Sequence, residues 1–98
     1  MISVRYFKDG ELTRIKLRVN GSAAIELPDN IIAIPAFADM HVHLRDWGES
    51  YKEDLKSGSR AALAGGVATV GDMPNTKPPI RDPDLALKRI KDASNLKI

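Results

Sequence analysis

Two histidines separated by one residue, His41-Val42-His43, are the sharpest chemical feature of this 98-residue chain, and they are its only histidines. Side chains two positions apart on a β-strand project from the same face, so both imidazoles could reach one metal ion. The competing reading is a pair of ordinary polar histidines at a strand end, because a bare His-x-His pattern recurs by chance. A catalytic zinc normally takes three protein ligands and a water. The nearby carboxylates are Asp39, Asp46, Glu49 and Asp72, and no complete site of a familiar kind can be assembled from them by spacing.

Arg45 stands two residues beyond His43 and shares its side if the extended run persists. A planar guanidinium there suits a carboxylate held by two hydrogen bonds; a surface arginine paired with Asp46 or Glu49 is the alternative. Asn75, in Met73-Pro74-Asn75-Thr76, offers an amide donor and acceptor on a loop stiffened by Pro74, Pro78 and Pro79. Taken alone, that loop is better read as carrying a plain turn asparagine. Asp72 is read first as a satisfied strand-end aspartate, with orientation of a ligand histidine as the sharper option. Asp39 has the parity of the histidines but sits deeper, which suggests a structural or supporting role. Ser57 and Ser59 have no base nearby, and Gly65-Gly66 precedes a strand rather than opening a helix, so neither a serine nucleophile nor a phosphate loop is supported.

These residues need elements to hold them. Thr13 to Val19 alternates, with Ile15, Leu17 and Val19 on one face and Arg14, Lys16 and Arg18 on the other, as a half-buried strand does. Asp9-Gly10 and Asn20-Gly21 are tight-turn dipeptides on either side. Short strands are expected at Ala23 to Leu27 and Ile31 to Ile34, making a meander with one solvated face. After Pro35 the character changes. Phe37 to Leu44 is more apolar than alternating, as in a strand covered on both sides. Ser50-Tyr51-Lys52-Glu53 matches a capping box and predicts a helix starting there, stopped by Gly65-Gly66. Val67 to Met73 is the next strand. Asp82-Pro83 opens a second helix with Leu85, Leu87 and Ile90 on its apolar side and Lys88, Arg89 and Lys91 in its later turns, where cations suit the helix dipole.

Strand-helix-strand order implies parallel pairing, and two parallel strands leave both faces and both edges needing cover. The chain therefore reads as incomplete, stopping where another strand is expected. Composition is that of a soluble globular protein, 43% hydrophobic and 29% charged. A net charge of +2 with dispersed bases and few aromatics argues against nucleic acid. No cysteine is present, which removes disulfides and thiolate chemistry. The opening residues lack a basic leader with an apolar run, and no apolar stretch approaches a membrane span, so a cytoplasmic location is expected.

Pro35-Ala36-Phe37-Ala38-Asp39-Met40-His41-Val42-His43-Leu44-Arg45-Asp46 resembles the first-strand signature of cyclic amidohydrolases. Tyr51-Lys52-Glu53-Asp54, Gly58-Ser59-Arg60-Ala61-Ala62, Ala64-Gly65-Gly66 and Met73-Pro74-Asn75-Thr76-Lys77-Pro78-Pro79 are similar to the dihydroorotase branch in particular. Asp72-Met73-Pro74 is also similar to allantoinases, and an allantoinase- or hydantoinase-type fragment is the alternative. The resemblance implies an α/β fold: residues 1–34 as strands of a small composite β-sandwich domain, and residues 35–98 as the first two β/α units of a (β/α)₈ TIM-type barrel. It implies one or two zinc ions that activate water and polarise a cyclic amide, with His41 and His43 as ligands. Arg45 and Asn75 would hold the carboxylate of dihydroorotate or carbamoyl-aspartate, His43 would line the same pocket, and a proton-shuttling aspartate would lie beyond Ile98. A barrel needs about 250 residues, so the chain alone is expected to be inactive. Two other roles follow from the same resemblance and from the uncovered strands: a non-catalytic scaffold for aspartate transcarbamoylase, or a zinc-binding domain that covers its strands as a homo-oligomer.

Overall fold

The structure, a computed structural model, describes residues 1–21 and 23–98. It is mixed α/β and separates into two compact units, Met1–Pro35 and Ala36–Ile98. Among the described residues no helix is long and apolar enough to cross a membrane.

In the first unit, β1 (Ile2–Lys8) and β2 (Glu11–Leu17) form an antiparallel hairpin with register Ile2↔Leu17 to Lys8↔Glu11. Asp9 and Gly10 turn it with φ of 54° and 82°, the two left-handed conformations that match the twist of a tight hairpin. The expected meander stops there. Strands β3 (Ile25–Glu26) and β4 (Ile32–Ala33) both return to the other edge of β1 and run parallel to it, β3 beside Ile2 and Ser3 and β4 beside Arg5 and Tyr6. Arginine side chains brace this return: Arg5 donates to the Asp29 carbonyl at 2.9 Å and Arg14 pairs with the Asp29 carboxylate. Such bonds are side-chain chemistry that hydrophobic alternation does not encode. Val4, 2% exposed, is the buried apolar residue of the unit; Ile15 is half-buried, whereas Leu17 and Val19 are exposed.

The second unit runs β5 (Phe37–Val42), a 3₁₀ turn (Trp47–Glu49), α1 (Leu55–Ala64), β6 (Val67–Asp72) and α2 (Pro83–Ala93). β5 and β6 pair in parallel, as strand-helix-strand order requires. The pairing is irregular between Asp39 and Val42, where Gly71 passes beneath Met40 so closely that a Cβ would lie 2.6 Å from the Met40 carbonyl oxygen. Helix α1 begins four residues later than Ser50 suggests. Asp54 is its N-cap, accepting from Ser57 N at 2.6 Å while the Ser57 hydroxyl accepts from Asp54 N at 3.1 Å. Ser50 instead closes the 3₁₀ turn. The helix ends as expected, with Gly65 as C-cap and Gly66 at φ 81°. Asp82 caps α2 through Leu85 N at 2.9 Å, with Pro83 in the first turn.

Strand β5 is not covered on both sides: Phe37 and Met40 are exposed. Its apolar run is legible in sequence, but Phe37 to His41 are all exposed, and α1 packs against β6. The side of α2 expected to be apolar also differs, since Leu87 and Ile90 are exposed and the buried residue is Arg89. Between β6 and α2 runs an open, mainly apolar groove of about 530 Å³ lined by Leu44, Leu55, Val70, Ile80, Ile90 and Leu96.

Candidate functional site

His41 is the penultimate residue of β5 and His43 follows its last residue. The two rings stand together, centroids 5.3 Å apart and planes at 66°. Two imidazoles sharing one tetrahedral ion, with nitrogen–metal bonds of about 2.0–2.1 Å, would hold their centroids roughly 5 Å apart. The spacing suits a shared ion. Among the described residues no group of three or more histidine, aspartate or glutamate side chains converges, so the pair supplies part of a ligand set and not a closed one.

The neighbouring carboxylates are engaged in holding the backbone. Asp39 accepts from His41 N at 3.1 Å within β5. Asp72, at the end of β6, accepts from Leu44 N at 2.9 Å through one oxygen and from Arg89 Nε at 2.8 Å through the other. It is a satisfied strand-end aspartate, the plainer of its two readings.

Asn75 reaches His43. Its Oδ1 lies 2.8 Å from His43 Nδ1. A carbonyl oxygen can only accept, so Nδ1 carries the proton and the Nε2 lone pair is left for a ligand. The loop that presents Asn75 is cross-tied: Thr76, 6% exposed, donates from its hydroxyl to the Pro78 carbonyl at 2.8 Å, Ile80 N donates to the Pro74 carbonyl at 3.0 Å, and Gly48 N donates to the Lys77 carbonyl at 2.9 Å. The amide is therefore mounted on a fixed loop, whereas a turn asparagine alone would need none of these ties.

Arg45 does not continue the strand. β5 ends at Val42, and Asp46 and Trp47 take positive φ of 74° and 50°. Its Nη1 donates to Glu49 Oε2 at 3.2 Å, the surface-type pairing foreseen as the alternative, except that Glu49 is buried, 4% exposed. Lys52 Nζ holds the other Glu49 oxygen at 2.6 Å. The Lys52 hydrogen bond keeps the Glu49 carboxyl below the usual carboxylate range, with the Lys52 and Arg45 charges adding to it and burial opposing it. Lys52 is raised in turn, chiefly by its bond to Glu49. The ion pair engages one terminal nitrogen of Arg45 and the side chain is one-third exposed.

Sequence position makes Arg89 one of the later-turn cations that suit the helix dipole; the structure buries it, 6% exposed. Its Nη2 donates to the carbonyls of Leu44 and, at 3.0 Å, Arg45. Its guanidinium carbon lies 5.1 Å from the centre of the Trp47 ring, which Lys88 also faces at 4.8 Å. Trp47 Nε1 donates to Asp92 at 2.8 Å. Helical spacing carried the missed signal: Leu85, Ala86, Arg89 and Ala93 form one stripe of partly or fully buried positions.

A model of the amidohydrolase family matches residues 32–98. The chain is 50% identical over 97 residues to a dihydroorotase of Pyrobaculum aerophilum, a match covering 99% of this chain and 25% of that protein. It is 49% identical over 76 residues to the dihydroorotase of Pyrococcus furiosus, 76% of this chain and 18% of that protein. With the dihydroorotase of Aquifex aeolicus the identity is 62% over 50 residues, 51% of this chain and 12% of that protein. It thus spans about a quarter or less of the length of these relatives. A matched family model over most of its length, with an imidazole pair at the end of a parallel strand, means that the chain belongs to the amidohydrolase family and is similar to the N-terminal portion of dihydroorotases.

Proposed function

We propose that this chain forms one wall of a zinc-dependent dihydroorotase site, interconverting dihydroorotate and carbamoyl-aspartate in cytoplasmic pyrimidine synthesis. In this reading β5, α1, β6 and α2 are the first two β/α units of a (β/α)₈ barrel, and the β1–β4 sheet is part of a small β-domain. His41 and His43 would hold the metal through nitrogens on one side of the strand end. Zinc, when bound, would supply a Lewis acid that activates water and polarises the ring amide. Asn75 accepts the His43 proton with its oxygen, and its NH₂ group is free to donate toward a substrate carboxylate. Arg45, tethered to Glu49 by one nitrogen, has the rest of its fork for the same carboxylate.

The observation that carries this reading is the pair of imidazole rings at 5.3 Å with Asn75 on the second of them. A satisfied core histidine does not need a second imidazole at metal-sharing distance. Zinc titration of the labelled chain, followed through the imidazole nitrogens, is expected to perturb both histidines together and to lose its effect in His41→Ala plus His43→Ala. With two ligands in the chain, turnover of dihydroorotate is expected to be undetectable with zinc added. Zinc that shifts neither ring, or zinc-dependent turnover by the verified 98-residue chain, would overturn the proposal.

A further inference from the structure

Past Val42 the chain leaves the β-ladder. Met73 N donates to the Val42 carbonyl at 2.8 Å at the end of the β5–β6 pairing, and the next peptide groups find side chains instead. Leu44 N–H goes to Asp72; the Leu44 and Arg45 carbonyls both go to Arg89 Nη2; Arg89 Nε returns to Asp72 at 2.8 Å. One ion pair, with an aspartate from the end of β6 and an arginine from the middle of α2, thus brackets the backbone on both sides of Leu44. That is the stretch from which His43 and Arg45 project.

A guanidinium is a poor choice if stability alone is at stake. Arg89 is 6% exposed and its Nη1 is buried with no hydrogen-bond partner among the described residues, so desolvation is only partly offset, and apolar residues of similar volume commonly serve stability as well or better. What an apolar side chain cannot do is donate from one nitrogen to two successive carbonyls while a second nitrogen of the same rigid guanidinium holds Asp72. The Trp47 ring at 5.1 Å covers the guanidinium, and Asp92 holds that ring by its indole nitrogen at 2.8 Å.

We infer that Arg89 is a positioning residue of the candidate site: by holding the Leu44 and Arg45 carbonyls from α2 it sets the direction in which His43 and Arg45 leave the strand end. Loss of the grip swings the His43 ring away from Asn75 and spoils the shared geometry with His41. The metal half of this statement rests on the zinc reading above; the His43–Asn75 half does not.

Two measurements separate them. Long-range ¹H–¹⁵N spectra, recorded where imidazole is neutral, report which His43 nitrogen bears the proton, and a zinc titration reports affinity. Native chain is expected to hold His43 as the Nδ1–H form. Arg89→Met, close in volume, should shift it to the Nε2–H form that free histidine favours and weaken zinc binding about tenfold, the lower end of what loss of ligand-orienting contacts costs. Arg89→Lys keeps a cation for Asp72 but lacks the fork; it should give an intermediate effect, and it serves as the reading if Arg89→Met does not fold. Asp92→Ala loosens Trp47 without touching the carbonyl grip, so it should lower the melting temperature and leave both readouts unchanged.

Folded Arg89 variants with native His43 tautomer and native zinc affinity would overturn the inference, as would equal effects from Asp92→Ala, which would mark Arg89 as merely structural. A tautomer shift in a chain that never binds zinc would uphold the positioning role while ending the zinc reading. Native zinc binding together with an unshifted tautomer in all folded Arg89 variants would do the reverse.

Discussion

Asn75 and His43 face each other at 2.8 Å across 32 residues of chain, with the amide oxygen toward the ring, and that orientation of the amide sets the place of the proton. The amide oxygen cannot donate, so the imidazole does, and the ring is committed to presenting Nε2. A loop residue on one strand's end thereby sets the donor nitrogen on its neighbour's. Orientation of a ligand histidine by a hydrogen bond to its other nitrogen is worth one to two orders of magnitude in metal affinity in typical sites.

Asn75→Ala should therefore do two separable things. His43 is expected to lose its fixed tautomer, seen in the imidazole nitrogen shifts, and zinc affinity is expected to fall about tenfold. Asn75→Asp keeps an acceptor at the same place and should retain the tautomer. Unchanged tautomer in Asn75→Ala would show that the contact does not determine the ring's protonation.

The Arg45–Glu49–Lys52 cluster predicts an acid sensitivity with a definite sign. Glu49 is held below its ordinary carboxyl value chiefly by Lys52 and also by Arg45. A depressed folded-state value means that the unfolded chain takes up the proton first, so the stabilisation is present above the ordinary carboxylate range. It is lost as pH falls through the lower folded-state value. Melting temperature measured from about pH 6 down to about pH 2 should drop less steeply in Glu49→Gln than in the native chain. Since Arg45 is tied to the same carboxylate, the Glu49→Gln change should also broaden the Arg45 side-chain resonances. Parallel pH profiles in the two proteins would remove Glu49 from the account.

Gly71 is required by space. A Cβ there would stand 2.6 Å from the Met40 carbonyl oxygen and 2.9 Å from its carbon, both backbone atoms that cannot rotate away. Gly71→Ala must push β5 from β6 in the irregular stretch between Asp39 and Val42 that carries His41. A destabilisation of about 1–3 kcal/mol is expected from forced overpacking, read by urea unfolding. The control is Gly10→Asn, at a hairpin position with φ 82° and nothing within 4 Å of the added atom, where a left-handed-tolerant residue should cost little. Equal losses at both positions would mean that the close approach is not what Gly71 serves.

Local chemistry made much of this chain readable in advance. Asp9-Gly10 had to turn because only a few residue types accept positive φ. Asp82-Pro83 had to start a helix because proline needs no donor there and aspartate caps the free N–H groups. Strand periodicity of two made a shared side for His41 and His43 the natural reading, and their rings do stand 5.3 Å apart although β5 ends at Val42. The linked motifs around them carried the family.

What sequence could not decide depends on partners distant along the chain. Ser50 and Asp54 are both competent caps, and Asp54 prevailed where Asp46 accepts from Leu55 N and donates its own N–H to the Glu53 carbonyl. Strands β3 and β4 went to the far edge of β1 because an edge of unpaired N–H and C=O groups was open there, a fact about a sheet and not about any segment. Arg89 shows the limit most clearly. Its identity and helical position are local, but its role is set by Asp72, 17 residues back, and by the Leu44 and Arg45 carbonyls, 45 and 44 residues back. Composition and periodicity specify what a residue can do; only the assembled backbone specifies which unsatisfied group it will meet.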